Sequence, residues 1–296
     1  MKKLPYIAAF ITVVLWASAF PAVRYTLGYF SPVALMLYRF IIASLFLLAY
    51  CFVKKIKPPK IQDLPLFILA GFSGLFLYMW AFNAGTVTVP AGISSFIISS
   101  APMITLVLTV WILKEKASVF IWTGAFVGFV GIGIIALSRD AYFQLNLGIF
   151  LLILAAIFTS FYNIFQKQIL VDYTPMQATA YSMALGTVPM FLFVPNLIRE
   201  FPEAPMSAHL IIVYLAIFPA ALAFLMWVYA LSKAEKVIYV TSFSYLSPFL
   251  ATVIAFFWLG ETIPGTAFIG GIVVVCGMVL ASIKGKNDSL ETETGM

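Results

Sequence analysis

The chain has 296 residues, of which 63% are hydrophobic and only 9% charged, against roughly 25% charged in a soluble domain. A soluble fold of this make-up would have no surface to show to water, so lipid is the solvent the sequence expects. The net charge of +6 gathers in loops on one side, which speaks for membrane sidedness and against a nucleic-acid partner.

A spanning helix needs roughly 20 apolar residues. In chain order, ten such runs are predicted, at about 5–28, 32–53, 64–84, 90–113, 117–137, 145–168, 175–198, 208–231, 238–259 and 264–283. They lack the period-2 alternation of a membrane barrel, and only helices or closed barrels satisfy their backbone in lipid. The first run has a basic start and Ala17-Ser18-Ala19 before Phe20, the outline of a cleavable leader. Pro21 just past that point, and a counterpart of the run in the second half, argue that it is kept as a span. Pro21, Pro102 and Pro248 fall within runs and are expected to act as hinges. Runs 5 and 10 carry Gly124, Gly128 and Gly131, and Gly270, Gly271 and Gly277. Small residues let helices approach closely, so these two are read as supports clamping each half, away from substrate. Residues 285–296 form a polar tail expected to be disordered and cytoplasmic. Cys51 and Cys276 read as small packing residues. With so few Cys and one His, His209, no metal cluster is expected, and neither is a cofactor.

The chain says much the same thing twice. Pro102 and Glu115 stand opposite Pro248 and Glu261, both at an offset of 146, as do Ala84 with Ala230, Gly124 with Gly270 and Gly131 with Gly277. Pro32 and Tyr38 stand opposite Pro175 and Tyr181 at 143, and Trp16 opposite Phe158 at 142. The seam lies near Ser138–Asn146, dividing residues 1–140 from 141–284. Each half holds five runs, an odd number, so the second half enters the membrane inverted. The charges agree. Lys2, Lys3, Lys54, Lys55, Lys57, Lys60, Lys114, Lys116, Lys167, Lys233, Lys236, Lys284 and Lys286 share one side, which the positive-inside rule makes the cytoplasm. Both termini are therefore expected there, in the plasma (inner) membrane. Inverted repeats suit alternating access around a midplane site, and a fused pair of halves needs no dimer, so a monomer is expected.

"LWASAFPAVR" in run 1, "YRFIIASLFLL" in run 2, and the proline-to-"LKEK" and proline-to-"LGET" runs resemble the drug/metabolite transporter superfamily, and most of all its EamA branch. The resemblance covers nearly the whole chain. It implies an all-α integral membrane fold of ten helices around a central cavity, exporting amino acids or other small metabolites.

Which residues would hold a substrate? Arg39 lies about seven positions into run 2, roughly 10 Å along the helix. A buried arginine costs roughly 2.5–3.5 kcal/mol by insertion scales. It either snorkels or anchors a substrate carboxylate through its bidentate fork. Ser95, Ser99 and Pro102 share one helix face, as do Thr241, Ser244 or Tyr245, and Pro248. Small hydroxyls there can line a cavity or serve as helix–helix glue. Asn163, with Thr159 and Gln166 on the same face, needs a partner from protein, water or ligand. Tyr78, Trp80 and Asn83 on run 3, Trp227 and Tyr229 on run 8, Trp16, Tyr38 and Tyr181 complete the candidate set. Glu115 and Glu261 are either gate elements or solvated helix ends, and the lysines beside Glu115 favour the latter.

No carboxylate falls mid-membrane, which disfavours both the glutamate-based proton/cationic-drug exchange of the superfamily's small dimeric members and a carboxylate proton relay. A neutral or zwitterionic substrate suits hydroxyls, amides and aromatics better. A multidrug exporter of apolar or weakly cationic compounds is the alternative. An intramembrane enzyme would need a paired Asp, a Ser–His pair or a metal cluster, so no catalytic residue is assigned. A channel would show filters or charge rings.

Overall fold

The computed structural model describes residues 4–89, 94, 97–137, 147–259 and 265–281. The polar tail, Ser95 and Glu261 lie outside the described residues. The described chain is helical. Six helical runs are long and apolar enough to cross a membrane, and four shorter apolar helices accompany them. In chain order they are α1 (Leu4–Thr26), α2 (Pro32–Val53), α3 (Ile61–Thr88), α4 (Ala101–Ile112), α5 (Val119–Leu137), α6 (Leu147–Ile169), α7 (Pro175–Glu203), α8 (Met206–Lys233), α9 (237–259) and α10 (Gly265–Ala281).

Local signals set the helix starts. Ser31 caps α2, its Oγ accepting from Ala34 N at 3.4 Å, with Pro32 in the first turn. There a proline's missing N–H costs nothing. Thr174 and Gln177 form a capping box before Pro175, satisfying two end donors at once. Outward-facing side chains such as Phe52, Trp111 and Leu192 stay exposed, as a lipid-facing surface requires.

Pro102 and Pro248 do not kink the middle of a continuous α-helix. Each lies in the first turn of an α-helical segment, Ala101–Ile112 and Ser247–Leu259. A turn at Ser99–Ser100 precedes the first, and a 3-10 turn over Ser242–Leu246 the second. Pro21 lies within unbroken α1. Further departures from α geometry occur at π-helical turns in α3 (Phe72–Leu77) and α8 (Ala216–Leu222) and at a 3-10 stretch in α7 (Val188–Phe193). The α8 turn contains Pro219.

Packing follows a pattern. α1 lies on α8 and α9 as α6 lies on α3 and α4, α2 lies on α7, and α5 on α10. Glycines permit the closest crossings. A Cβ on Gly71 would lie 2.7 Å from Gly186 N, and one on Gly124 would lie 2.7 Å from Gly277 O. Thus α5 and α10 pack against one another, and α10 also lies on α9. Cys51 is buried, Cys276 is exposed, and both are free.

Candidate functional site

A cavity of about 1010 Å³ opens between α1, α2, α3, α4, α6, α8 and α9. Its mouth is formed by the α1–α2 turn from Tyr29 to Pro32, the end of α3 from Thr86 to Val89, and Glu200 of α7. Glu200 is fixed by accepting from Ser31 N at 2.7 Å. Arg39 lies eight residues further along α2, about 12 Å deeper at the rise of a helix.

Arg39 is 5% exposed and lines the cavity. Its Nε donates to Leu215 O at 3.1 Å. The reason lies in α8. Pro219 has no N–H to give the carbonyl four residues before it, Leu215 O, and α8 turns π-helical from Ala216 to Leu222, which moves that carbonyl's helical donor one residue further on. Arg39 adds a second donor. Among the described residues no carboxylate pairs with Arg39, and the rest of its fork is left to the cavity. The same proline turn engages α1: Trp16 Nε1 donates to Pro219 O at 3.0 Å, and Thr12 Oγ1 to Ala223 O at 3.1 Å.

Deeper in the wall the ring centroids of Trp16 and Trp227 are 4.9 Å apart, those of Trp16 and Phe224 5.4 Å. Trp227 Nε1 donates to Asn163 Oδ1 at 2.8 Å, and Asn163 Nδ2 makes a long 3.5 Å bond to Thr105 Oγ1. Asn163 borders the cavity with both ends of its amide engaged. Among the described residues of the wall, two buried hydroxyls, Tyr162 OH and Thr241 Oγ1, have no hydrogen-bond partner.

Of the residues predicted from sequence, Trp16, Arg39, Tyr78, Ser99, Asn163, Trp227, Thr241, Ser244 and Pro102 stand in one wall. Others lie outside it. Tyr38 turns to His209, its OH 3.3 Å from Nδ1. Trp80 is 39% exposed on the outer surface. Asn83 Nδ2 donates to Pro32 O at 3.1 Å, and Tyr181 OH to Ile56 O at 3.2 Å. Tyr229 and Pro248 are not in the wall either. Tyr245 is wholly buried with its ring against Gly128 of α5, where a Cβ would lie 2.7 Å from Cδ2. Sequence reading missed Tyr162, although it lies three residues past Thr159 and next to Asn163, on the face already singled out. Its ring fills the space left by Gly74. Nothing in the sequence pointed to Glu200, which tertiary packing alone brings to the mouth.

Opposite the mouth, the lysine-rich end is closed. Lys167 Nζ donates to Leu231 O at 3.2 Å and to Ala234 O at 2.8 Å. Lys114 adopts a left-handed φ of 55°, and Glu115 N bonds back to Thr109 O at 3.2 Å, a helix-ending turn. That turn brings the Glu115 carboxylate to Val237 N at 3.3 Å. Glu115 is therefore not a solvated helix end. Burial lifts its carboxyl above the usual value, while the Val237 N–H and the Lys167 and Lys236 charges oppose the lift.

This arrangement has known relatives. The sequence matches the EamA-like transporter family twice, over residues 3–137 and 146–283. The chain belongs to the EamA-like transporter family. It is 33% identical over 275 residues to the uncharacterized transporter YdfC of Bacillus subtilis, covering 91% of this chain and 88% of that one. It is 33% identical over 273 residues to a "probable terminal-alkyne amino-acid exporter" of Streptantibioticus cattleyicolor, covering 92% and 91%. The inner membrane transporter YedA of Escherichia coli K12 is 25% identical over 93% of this chain and 90% of its own. A solved crystal structure shares the fold with a TM-score of 0.77 at 18% identity, over 94% of this chain and 96% of that chain. The protein is thus a multi-pass membrane transporter and not an enzyme, with a small molecule as substrate and lipid as its surroundings.

Proposed function

We propose that this transporter exports amino acids, or similar small zwitterionic or neutral metabolites, across the cytoplasmic membrane by alternating access. Ten spanning helices form two inverted five-helix repeats, residues 1–140 and 141–284. Both termini are cytoplasmic and the working unit is a monomer. The exchange of helix pairs supports the inverted halves: replacing each helix number n by n plus or minus five turns α1–α8 into α6–α3 and α1–α9 into α6–α4. The lysines at the closed end support the orientation. The observation that carries the substrate class is Arg39, buried at the wall of a deep cavity with no carboxylate partner among the described residues. A buried cation demands an anion, and a substrate carboxylate meets that demand. The Streptantibioticus relative, named for export of an amino acid, supports the same class.

A cavity of about 1010 Å³ is at the upper end of drug-sized sites, roughly 300–1,000 Å³. That observation favours the second reading, a multidrug exporter of apolar or weakly cationic compounds. Counterflow separates the two. Liposomes holding the purified protein are preloaded with one unlabelled amino acid, and uptake of the labelled form is followed with no ion gradient. Transient accumulation that Arg39→Ala abolishes supports the amino-acid reading. Saturation by many unrelated apolar compounds, with Arg39→Ala unaffected, supports the alternative and ends the first.

A further inference from the structure

We propose that the loop between α2 and α3 binds the phosphodiester headgroup of an anionic membrane lipid, with Lys54, Lys55, Lys57 and Lys60 as its cationic ligands. The site lies at the lysine-rich end, outside the cavity. All four lysines are exposed, and among the described residues none of their ammonium groups has an ion-pair or hydrogen-bond partner. Lys167, by contrast, donates to two carbonyls. Two carboxylates lie beside the loop. Asp63 accepts from Tyr173 OH at 2.5 Å, and Asp172 is the residue before that tyrosine. Four cations against two carboxylates leave an excess of positive charge, which an anionic headgroup neutralises.

The loop is fixed as well as charged. Side chains of α7 and the turn before it hold its backbone. Tyr181 OH donates to Ile56 O at 3.2 Å, Gln177 Nε2 donates to Lys57 O at 2.9 Å, and Tyr173 OH accepts from Lys60 N at 3.0 Å. Pro59 is buried and Ile56 packs on the main core, while Pro58 and Pro59 each have a locked φ. Lys55 has a left-handed φ of 53°, and Ile56 N closes the turn on Cys51 O at 2.9 Å. Glycine or asparagine usually takes that position, so a lysine there sets a charge where the backbone alone favours another residue. A preformed loop loses little freedom on binding. A second observation is apolar. Phe52, Val53 and Ile61 flank the lysines and are 86%, 74% and 86% exposed. They lie on the last turn of α2 and the first turn of α3, where a spanning helix meets the headgroup layer. A soluble phosphate compound has no use for that apolar collar. A lipid presents phosphate and acyl chain side by side, as the loop presents lysines and collar.

The test counts bound lipid. Protein purified in dodecyl maltoside is titrated with phosphatidylglycerol, with zwitterionic phosphatidylcholine of the same chains, and with glycerol phosphate. Bound molecules are counted by native mass spectrometry while the thermal midpoint is followed. Phosphatidylglycerol is expected to bind and to raise the midpoint; the other two do neither at the same concentration. Each lysine near an anionic lipid surface is worth about fivefold. Lys54→Gln/Lys57→Gln should therefore weaken phosphatidylglycerol binding about twentyfold or more. Lys114→Gln/Lys233→Gln removes the same charge from the same end and should change it less than about threefold. Lys54→Arg/Lys57→Arg should retain binding, and all these variants should keep the lipid-free midpoint, because the side chains they alter are exposed. Equal binding of phosphatidylcholine or of glycerol phosphate, or equal losses in the two glutamine variants, overturns the site. Binding of polyglutamate in place of phosphatidylglycerol also overturns it and assigns the loop to an acidic protein. Transport is not read in any arm, so either result leaves the carrier reading as it stands.

Discussion

At the mouth, Ser31 N donates to Glu200 and ties α7 to the α1–α2 turn, and Asn83 Nδ2 donates to Pro32 O and ties α3 to α2. At the opposite end, Lys167 and Glu115 together tie α4, α6, α8 and α9. The second end also obeys a helix-dipole logic. The lysine meets carbonyls at the C-terminal end of α8, and the glutamate meets an N–H at the first turn of α9, each charge at the favourable pole. The ends differ in what opening would break. Opening the mouth breaks bonds of uncharged donors, whereas the floor must release charged side chains from partly buried partners. Between them lies Arg39, held by Leu215 O at the start of the π-helical turn around Pro219.

The largest expected effect comes from removing that central anchor. Arg39→Ala should lower amino-acid counterflow by about a hundredfold or more, since charge-assisted pairs are worth roughly 1.5–3 kcal/mol each and the bidentate fork supplies two. Arg39→Lys should recover only part, because an ammonium lacks that fork. Wild-type rates in Arg39→Ala would separate the cavity from transport altogether.

Next comes the floor. Lys167→Met should loosen the lysine-rich end without touching the mouth. In a Cys51→Ala, Cys276→Ala background carrying Ala234→Cys, maleimide labelling should speed up about tenfold, the scale of one charge-to-carbonyl bond. Unchanged labelling would mean that the floor is held by packing alone. Glu115 gives a smaller effect with a defined sign. Its carboxyl titrates above the ordinary 4.5 because burial outweighs Val237 N–H, Lys167 and Lys236; Lys114 and Lys116 flank it on its own turn. A raised carboxyl binds its proton more tightly in the folded state. Its stabilising contribution is therefore complete below 4.5 and lost as pH rises through the raised value. The thermal midpoint should fall across that window, and Glu115→Gln should flatten this part of the profile.

Smaller still, Trp227→Phe removes the 2.8 Å bond to Asn163 and should lower the thermal midpoint by about 1–4 °C, in line with roughly 0.5–1.5 kcal/mol for a hydrogen bond. Tyr245→Phe should change neither stability nor counterflow by more than about a factor of two, since its hydroxyl has no partner and its ring faces α5. A large transport defect there would redraw the cavity wall.

Composition and the doubled pattern by themselves determined that the chain lives in lipid, that it is helical, and where most helices begin and end. They also singled out Arg39, because a lone cation in an apolar run has few places to go. They could not say which face of each helix looks inward. In water an amphipathic stripe answers that question, but in lipid both faces are apolar and the pattern loses its contrast. Tyr245 and Tyr162 show the consequence. The first shares a face with Thr241 by spacing yet packs on Gly128, whereas the second, passed over, lines the cavity. Tertiary structure alone decided the partners. Leu215 O, at the start of the π-helical turn around Pro219, accepts from an arginine 176 residues away in sequence, and only the packing of α2 on α8 brings the two together.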